Sequence, residues 1–354
     1  MTAALAVLAG LTAAAPAAAQ GRKSGPLPAV TPVAETATLF DDEEGGNANA
    51  DDPAIWRNSA DPDRSLVVAT AKEGGLRVYD LGAREVQALP APSGPGPKDS
   101  PGRFNNVDLV HQMRQSGGRA DLAVVTDRGN DRLRFYRIDR DRPGGPLTDV
   151  TAPTVPAVFS ASQEEINDQR TAYGLATWTD RSTGRSYAGQ EDVGIWRMRA
   201  DLTSAPVLVD RVREYGVPAT YDEETEECTP GTDPGFGGRR LSADVEGLTI
   251  VDEGDGEGYL MASSQGDNTF AFYDRERKDG HEYEGGVRIT ARSRDLDGSE
   301  ECDGAAALNQ PLGRAFPRGL LVVQDGHDAP EDGPRTATGF KFVDLGKVLD
   351  ALDD

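Results

Sequence analysis

Acidic and amide side chains gather at the starts of short apolar segments in this sequence. Asp51 and Asp52 open DDPAIW (51–56), and Asn105, Asn106 and Asp108 belong to NNVDLV (105–110). Asp244 and Glu246 open DVEGLTI (244–250), alternating so that both face one side of a strand. Asp297, Glu300, Glu301 and Asp303 lead into CDGAAAL (302–308). Hard oxygen donors in this number suit Ca²⁺ better than Zn²⁺. Lys72 and Arg128 hold the same turn position in two successive units. A cation pair beside an acidic calcium site suits a substrate that carries phosphates. Taken singly, each acid reads as a turn or surface residue, and each cation as half of a weak surface ion pair. Recurrence at one phase of a repeat sets them apart.

Other chemistries lack their residues. The three histidines, His111, His281 and His327, show no zinc-type spacing. There is no R-H-G motif, no P-loop and no G-x-S-x-G, and neither cysteine heads a C-x5-R phosphate cradle. Runs such as GDGEG point only to turns.

The elements that must position these groups repeat. An apolar strand, a polar charged turn and an alternating strand ending in an aromatic recur as LVVATAKEGGLRVYDL (66–81) and LAVVTDRGNDRLRFYRID (122–139). SYAGQEDVGIWRMRA (186–200) and GYLMASSQGDNTFAFYDRE (258–276) follow, with GLLVVQDGHDAPEDG (319–333) and TGFKFVDL (338–345) as a looser copy. Each is preceded by a shorter strand, the third being YGLATW (173–178). Five units spaced by roughly 55–75 residues predict an all-β chain folded as a β-propeller. A sandwich is the competing architecture, but its strands need not repeat in matched sets. Inner strands lining a central channel bring their polar leading residues to one rim. AVTPVAETATLF (29–40) is expected to add an outer strand to the last unit, GKVLDALDD (346–354) a terminal helix, and 211–240 a long loop.

Composition bounds the rest. The chain has 354 residues, 41 of them Gly, and only 6% aromatics, consistent with many tight turns. Its formal charge of −23 argues against nucleic acid and anionic lipid as partners. Carboxylate-held divalent cations would relieve the self-repulsion, and a solvated acidic surface is the alternative. Residues 3–19 are apolar, uncharged and end in A-x-A, which reads as a signal peptide over 1–19 of a secreted or periplasmic protein. The alternative is a membrane anchor; after cleavage no membrane-spanning segment is expected. An arm then covers 20–45, and the propeller domain 46–354. Two cysteines in an exported chain predict one disulfide, Cys228–Cys302.

DDPAIW, NNVDL, DVEGLTI with YLMASSQGDN, and GLLVVQDG together resemble the β-propeller phytases, which hydrolyse inositol hexakisphosphate with calcium. The resemblance implies that Lys72 and Arg128 hold substrate phosphate, with Tyr173 and Gln265 beside it. It implies calcium ligands among Asp52, Glu191, Asp244, Glu246 and Asp303, with Asn106, Asp108, Asp297 and Asp325 completing the oxygen set. The implied catalytic group is Lys72, Arg128, Tyr173, Glu191 and Glu246. Several calcium ions, a calcium–phytate substrate and in-line attack by a metal-activated water follow from it.

The match departs from the family at one place. A strand like SYA (186–188) there runs on into further strands before a segment like GQEDVGIW, whereas here Ala188 joins Gly189 directly. About 50 residues, roughly one blade of six, are absent. With them go one phosphate-binding cation and one calcium-binding glutamate. Five units must then close the ring or leave it incomplete. Three readings follow: a calcium-dependent phytase, a calcium-loaded propeller that binds phosphate ligands or a partner without turnover, and a lactonase-type propeller. Lys72, Arg128, Asp244 and Glu246 favour the first two.

Overall fold

The computed structural model describes residues 26–115, 118–175, 185–201, 203–222, 227–275, 281–329 and 335–353. The expected signal stretch and the later part of YGLATW lie outside them. Two short N-terminal strands come first, β1 (Ala29–Val30) and β2 (Ala34–Glu35). Five antiparallel sheets then follow as the blades of a propeller. Blade 1 is β3 (Pro53–Trp56), β4 (Leu66–Thr70), β5 (Leu76–Asp80) and β6 (Glu85–Leu89). Blade 2 is β7 (Phe104–Gln115), β8 (Gly118–Asp127), β9 (Arg132–Ile138) and β10 (Leu147–Asp149). Blade 3 is β11 (Arg185–Gln190), β12 (Gly194–Arg199) and β13 (Val207–Arg211), followed by a hairpin of β14 (Ala219–Asp222) and β15 (Glu227–Pro230). The expected loop over 211–240 thus carries its own two-stranded ribbon. Blade 4 is β16 (Leu248–Gly254), β17 (Glu257–Ser264), β18 (Thr269–Asp274) and β19 (Tyr283–Ile289). Blade 5 is β20 (Ala305–Leu308), β21 (Leu320–Asp325) and β22 (Gly339–Asp344).

Strands buried on both faces read as continuous apolar runs, and strands at the periphery alternate. LVVAT in β4 and LLVVQD in β21 are buried throughout, whereas β6 is largely exposed. The faces of neighbouring blades pack into four apolar seams: 1 with 2, 1 with 5, 5 with 4, and 4 with 3. Among the described residues no such seam joins blades 2 and 3.

Blade 3 contains the Ala188–Gly189 junction. β11 runs straight through it, with Ala188 opposite Trp196 and Gly189 opposite Ile195 on β12. The shortened chain therefore forms one continuous hairpin there. Glycine is needed at 189, because a Cβ would meet Val245 O at 2.7 Å. β11 also lines the central cavity, together with Tyr173, Gly174 and Leu175 from the start of the expected inner strand 173–178.

Both N-terminal strands join the end of the chain. β2 pairs antiparallel with β22, as expected for an outer strand of the last unit. β1 pairs in parallel with β19, a contact that the sequence pattern does not suggest. Helix α2 (Leu345–Asp353) caps this region, burying Leu345 and Val348, with Asp344 Oδ1 accepting from Gly346 N at 2.9 Å. The expected disulfide is not formed. Cys302 is a free thiol, 4% exposed, whose Sγ donates to Gly304 O at 3.3 Å. The Cys228 side chain lies outside the described residues. Among the described residues no helix is long and apolar enough to cross a membrane.

His281 clamps blade 3 to blade 4. Its Nδ1 donates to Asp274 O at 2.8 Å, which leaves Nε2 to accept from Arg185 Nη1 at 3.2 Å. Its ring meets Tyr187 edge-on at 5.3 Å. Burial holds its pKa below the ordinary value, the hydrogen bond to Asp274 O opposes this, and Arg185 and Arg197 lower it further. A lowered histidine stabilises the fold fully above its unfolded value and loses that contribution as pH falls through the folded one. His281→Gln should therefore flatten the acid limb of a plot of Tm against pH; an unchanged slope below pH 6.5 would refute the clamp.

Candidate active site

The repeat predicts one rim, and the turns build it. At one end of the propeller the turns that follow β4, β8, β11 and β17 hold Lys72, Arg128, Glu191 and Gln265. Arg128–Asn130 and Gln265–Asp267 are matching 3-10 turns, each closed by a left-handed residue, Asp131 (φ 48°) and Asn268 (φ 55°). Asp and Asn tolerate this conformation better than other side chains. Asp131 also fixes the crossover from blade 2: its carboxylate accepts from Phe159 N, Ser160 N and Ala172 N at 2.7–2.9 Å. This loop delivers Tyr173, whose ring lies 4.8 Å beneath the Arg128 guanidinium. Thr126 Oγ1 donates to Tyr173 O at 2.9 Å. Burial raises the Tyr173 phenol, and the carboxylates Asp51, Glu246 and Asp303 add to the rise.

Acids from the leading ends of the innermost strands lie inside this ring of turns. Asp303 is the hub. Its Oδ2 pairs with Lys72 Nζ at 3.2 Å and its Oδ1 accepts from Gln265 Nε2 at 2.7 Å, joining blades 1, 4 and 5. Lys72 also approaches Asp51 at 3.7 Å. Burial works to lower the Lys72 ammonium, but Asp51 and Asp303 hold it above its ordinary value. Asp52 Oδ2 accepts from Val107 N at 3.0 Å. Glu191 O accepts from Val245 N at 3.2 Å, and Asp244 O from Gln265 N at 3.0 Å, which ties blade 3 and the DVEG segment to the rim.

The carboxylates crowd one another. Burial, then repulsion from Asp303, Glu191, Asp51 and Asp244, pushes Glu246 up to about 8. Burial pushes Asp51 up to about 7 against the pull of Lys72. Burial also raises Asp52, Glu191 and Asp244, with neighbouring acids adding to each. Asn106 Oδ1 is buried without a hydrogen bond. Clustered raised acids and an unpaired amide oxygen are an all-oxygen donor set short of positive charge, and this fits a hard divalent cation. A cavity of about 1160 Å³ opens beneath, lined by Asp52, Asn106, Asp108, Glu191, Glu246 and Asp303 among others.

Two expected ligands lie elsewhere. Asp297 and Asp325 turn away from the cavity to Lys341, a fully buried lysine on β22. Its Nζ also meets Glu35 Oε2 at 2.7 Å, Asp328 Oδ1 at 2.8 Å and Asp325 Oδ2 at 3.1 Å, and it contacts Asp297 Oδ1. Oxygens of Glu35, Asp297 and Asp328 lie within 4.8 Å of one another, as a metal site would require, around that ammonium. In sequence Asp325 looks like the other acids. It ends a second strand, whereas Asp303 precedes a first one, and that offset sends it to a different place.

A propeller whose rim sets cations against a nest of carboxylates has the parts of a phosphatase-type hydrolase. A family model, Phytase, matches residues 1–192 and 219–354. A 3-phytase of Bacillus subtilis (strain 168) is 30% identical over 347 residues, covering 90% of this chain and 85% of that protein. The chain belongs to the phytase family, and it is an enzyme of that hydrolase class. Among solved structures, an endo-arabinase of Bacteroides thetaiotaomicron is 15% identical over 87% of this chain and 96% of its own, with a TM-score of 0.38. Regucalcin, a calcium-binding protein from Agrobacterium tumefaciens, is 12% identical over 90% and 97%, with a TM-score of 0.32.

Proposed function

We propose that this chain is a calcium-dependent phytase that removes phosphate from myo-inositol hexakisphosphate. The observation that carries the reading is the juxtaposition at Asp303: the Lys72 ammonium pairs with it beside a crowd of carboxylates whose pKa values are raised. Asp52, Asn106, Glu191, Asp244, Glu246 and Asp303 are the residues that would hold calcium. Calcium bound there supplies positive charge toward the phosphoryl oxygens and acidifies coordinated water. Lys72 and Arg128 neutralise phosphoryl oxygens as charge develops on them. Gln265 orients Asp303 through its amide, and Tyr173 supports the Arg128 guanidinium from below. Burial and crowding by Asp303 and Glu191 keep the Glu246 carboxyl up at about 8, so it would accept a proton from water only once ionised, a state that a cation bound among these carboxylates would favour. The calcium complex of the substrate suits a surface this acidic, since the bare polyanion would be repelled. The apolar stretch 3–19 supports secretion or a periplasmic location.

The direct test is phosphate release at neutral pH, with calcium and with a chelator. Release that stops in chelator and returns with calcium is the expected result. A folded chain that binds calcium and releases nothing would favour a binding protein without turnover; release indifferent to chelator would exclude the calcium reading.

A further inference from the structure

The crossover that leaves blade 2 contacts Arg128 twice, and Tyr173 accounts for only one of the contacts. Within it Ser162 opens a short helix, α1 (Gln163–Asn167). Ser162 Oγ accepts from Glu165 N at 3.3 Å, and Glu165 Oε2 accepts from Ala161 N at 2.6 Å. This reciprocal pair is a capping box. The helix closes on two matched bonds, Gln169 N donating to Ile166 O at 2.9 Å and Arg170 N to Glu165 O at 3.0 Å. Such a closure puts the residue after the C-cap in the left-handed region, where Gly is usual and Asn next. Here that residue is Gln169, at φ 59°. A long side chain in this conformation is strained, and strain kept at one residue points to a use for its side chain. Gln169 Oε1 accepts from Arg128 Nη2 at 2.8 Å. Asn167 braces the helix against the segment before β7, its Oδ1 accepting from Ser100 N at 3.3 Å and its Nδ2 donating to Asp99 Oδ1 at 3.2 Å.

We propose that Gln169 is a positioning residue for the reaction: it aims the Arg128 guanidinium at substrate phosphate without neutralising it. Tyr173 supports one face of the guanidinium and Gln169 holds one edge. Together they fix a planar group that would otherwise swing on its long stem. A neutral acceptor suits this task, and it engages only one of the five N–H donors of the fork. A carboxylate at 169 would pair with the guanidinium and compete with phosphate for it. Glycine would close the helix with less strain, but it could not make the contact. This rests on the phosphate-holding role proposed for Arg128 and extends it to the loop that places the side chain.

The test is a double-mutant cycle on phosphate release from inositol hexakisphosphate in calcium. It uses wild type, Gln169→Gly, Arg128→Lys and the double variant, with Gln169→Glu beside them. Gln169→Gly relieves the strained turn, so its Tm should hold level or rise by about a degree or two. Its kcat/KM should nevertheless fall about tenfold, the size of one hydrogen bond to a charged group. In the Arg128→Lys background the same change should cost no more than about twofold, since the guanidinium that Gln169 aims is gone. Gln169→Glu should raise KM more than Gln169→Gly does. A glutamine with a merely structural role would lower Tm when replaced and would cost the same in both backgrounds. Full activity in Gln169→Gly, or an equal loss in the Arg128→Lys background, would overturn the proposal. Arg128→Lys as active as wild type would instead remove the phosphate role of Arg128, and this proposal with it. Wild type that binds the hexakisphosphate without hydrolysing it would sink the phytase reading, and calorimetric Kd values for the same four proteins would still decide the role of Gln169.

Discussion

Glu246→Gln should hydrolyse inositol hexakisphosphate about a hundredfold more slowly than wild type, yet melt higher in chelator at pH 9. The two effects share one cause. Burial, with repulsion from Asp303, Glu191, Asp51 and Asp244, pushes Glu246 up to about 8. A raised acid stabilises the fold while protonated and loses that contribution as pH rises through its folded pKa. Above pH 8 the metal-free protein therefore carries an ionised Glu246 among Asp303, Glu191, Asp51 and Asp244. Glutamine removes that charge and keeps the shape, so Tm should rise by a few degrees, on the order expected for about 1 kcal/mol. Below pH 7 the two proteins should converge, since Glu246 is then neutral. With calcium present, the order should reverse at high pH, because wild type gains more from the cation. Measuring Tm at pH 6 and pH 9, with chelator and with calcium, distinguishes the cases. A variant that is fully active, or less stable than wild type in chelator at pH 9, would remove Glu246 from the site.

Lys341→Met should cost about 3–5 kcal/mol of stability, the usual penalty for stripping one partner from a buried ion cluster. The lysine is fully buried and is the cation to which Glu35, Asp297, Asp325 and Asp328 converge. Burial works against its charge, and Asp325 and Asp328 more than restore it. Even with Lys341 in place, burial pushes Asp325 up to about 6 and raises Asp328 and Glu35. Without it these acids can only rise further and fold as neutral groups. The defect should therefore be greatest near pH 8 and shrink toward pH 5, as protonation does the work of the lost ammonium. Urea unfolding in chelator, which denies the acids calcium as a substitute, is the cleanest measurement. A penalty below 1 kcal/mol, flat with pH, would mean that the cluster is not the structural weld described above.

The candidate site was more legible in the sequence than its supports. Lys72, Arg128, Glu191 and Gln265 share a turn position, and a propeller converts equal phase into a common rim. The phase of a repeat says which end of a blade a residue occupies, but not its radius. Asp303 and Asp325 both flank strands of blade 5; the first meets Lys72 and lines the cavity, and the second meets Lys341 and does not. β1 escaped notice because two residues in a parallel pair carry no periodicity. The pairing of Cys228 with Cys302 rested on count and compartment, and burial of Cys302 in the seam between blades 4 and 5 overrode it. The junction at Ala188–Gly189 looked like a defect in sequence. It proves to be a clean splice within one strand, paired continuously with β12.

The N-terminal strands have a consequence for how this chain acquires its shape. Ala34 pairs with Phe342 and Ala29 with Arg288, contacts between the first and last parts of the polypeptide. Such contacts form only after a loop of nearly the whole chain has closed, which makes folding slow. During synthesis, blade 5 cannot receive its outer strand from β2 until β22 has emerged, although β2 is among the first segments made. The growing polypeptide therefore holds an unpaired strand throughout its elongation, and the outer edge of β22 stays open until the two termini meet. That interval is when the molecule is most exposed to edge-to-edge aggregation. The arm is thus the final latch of assembly, and folding yield should depend on residues 26–35 more than their small buried area suggests.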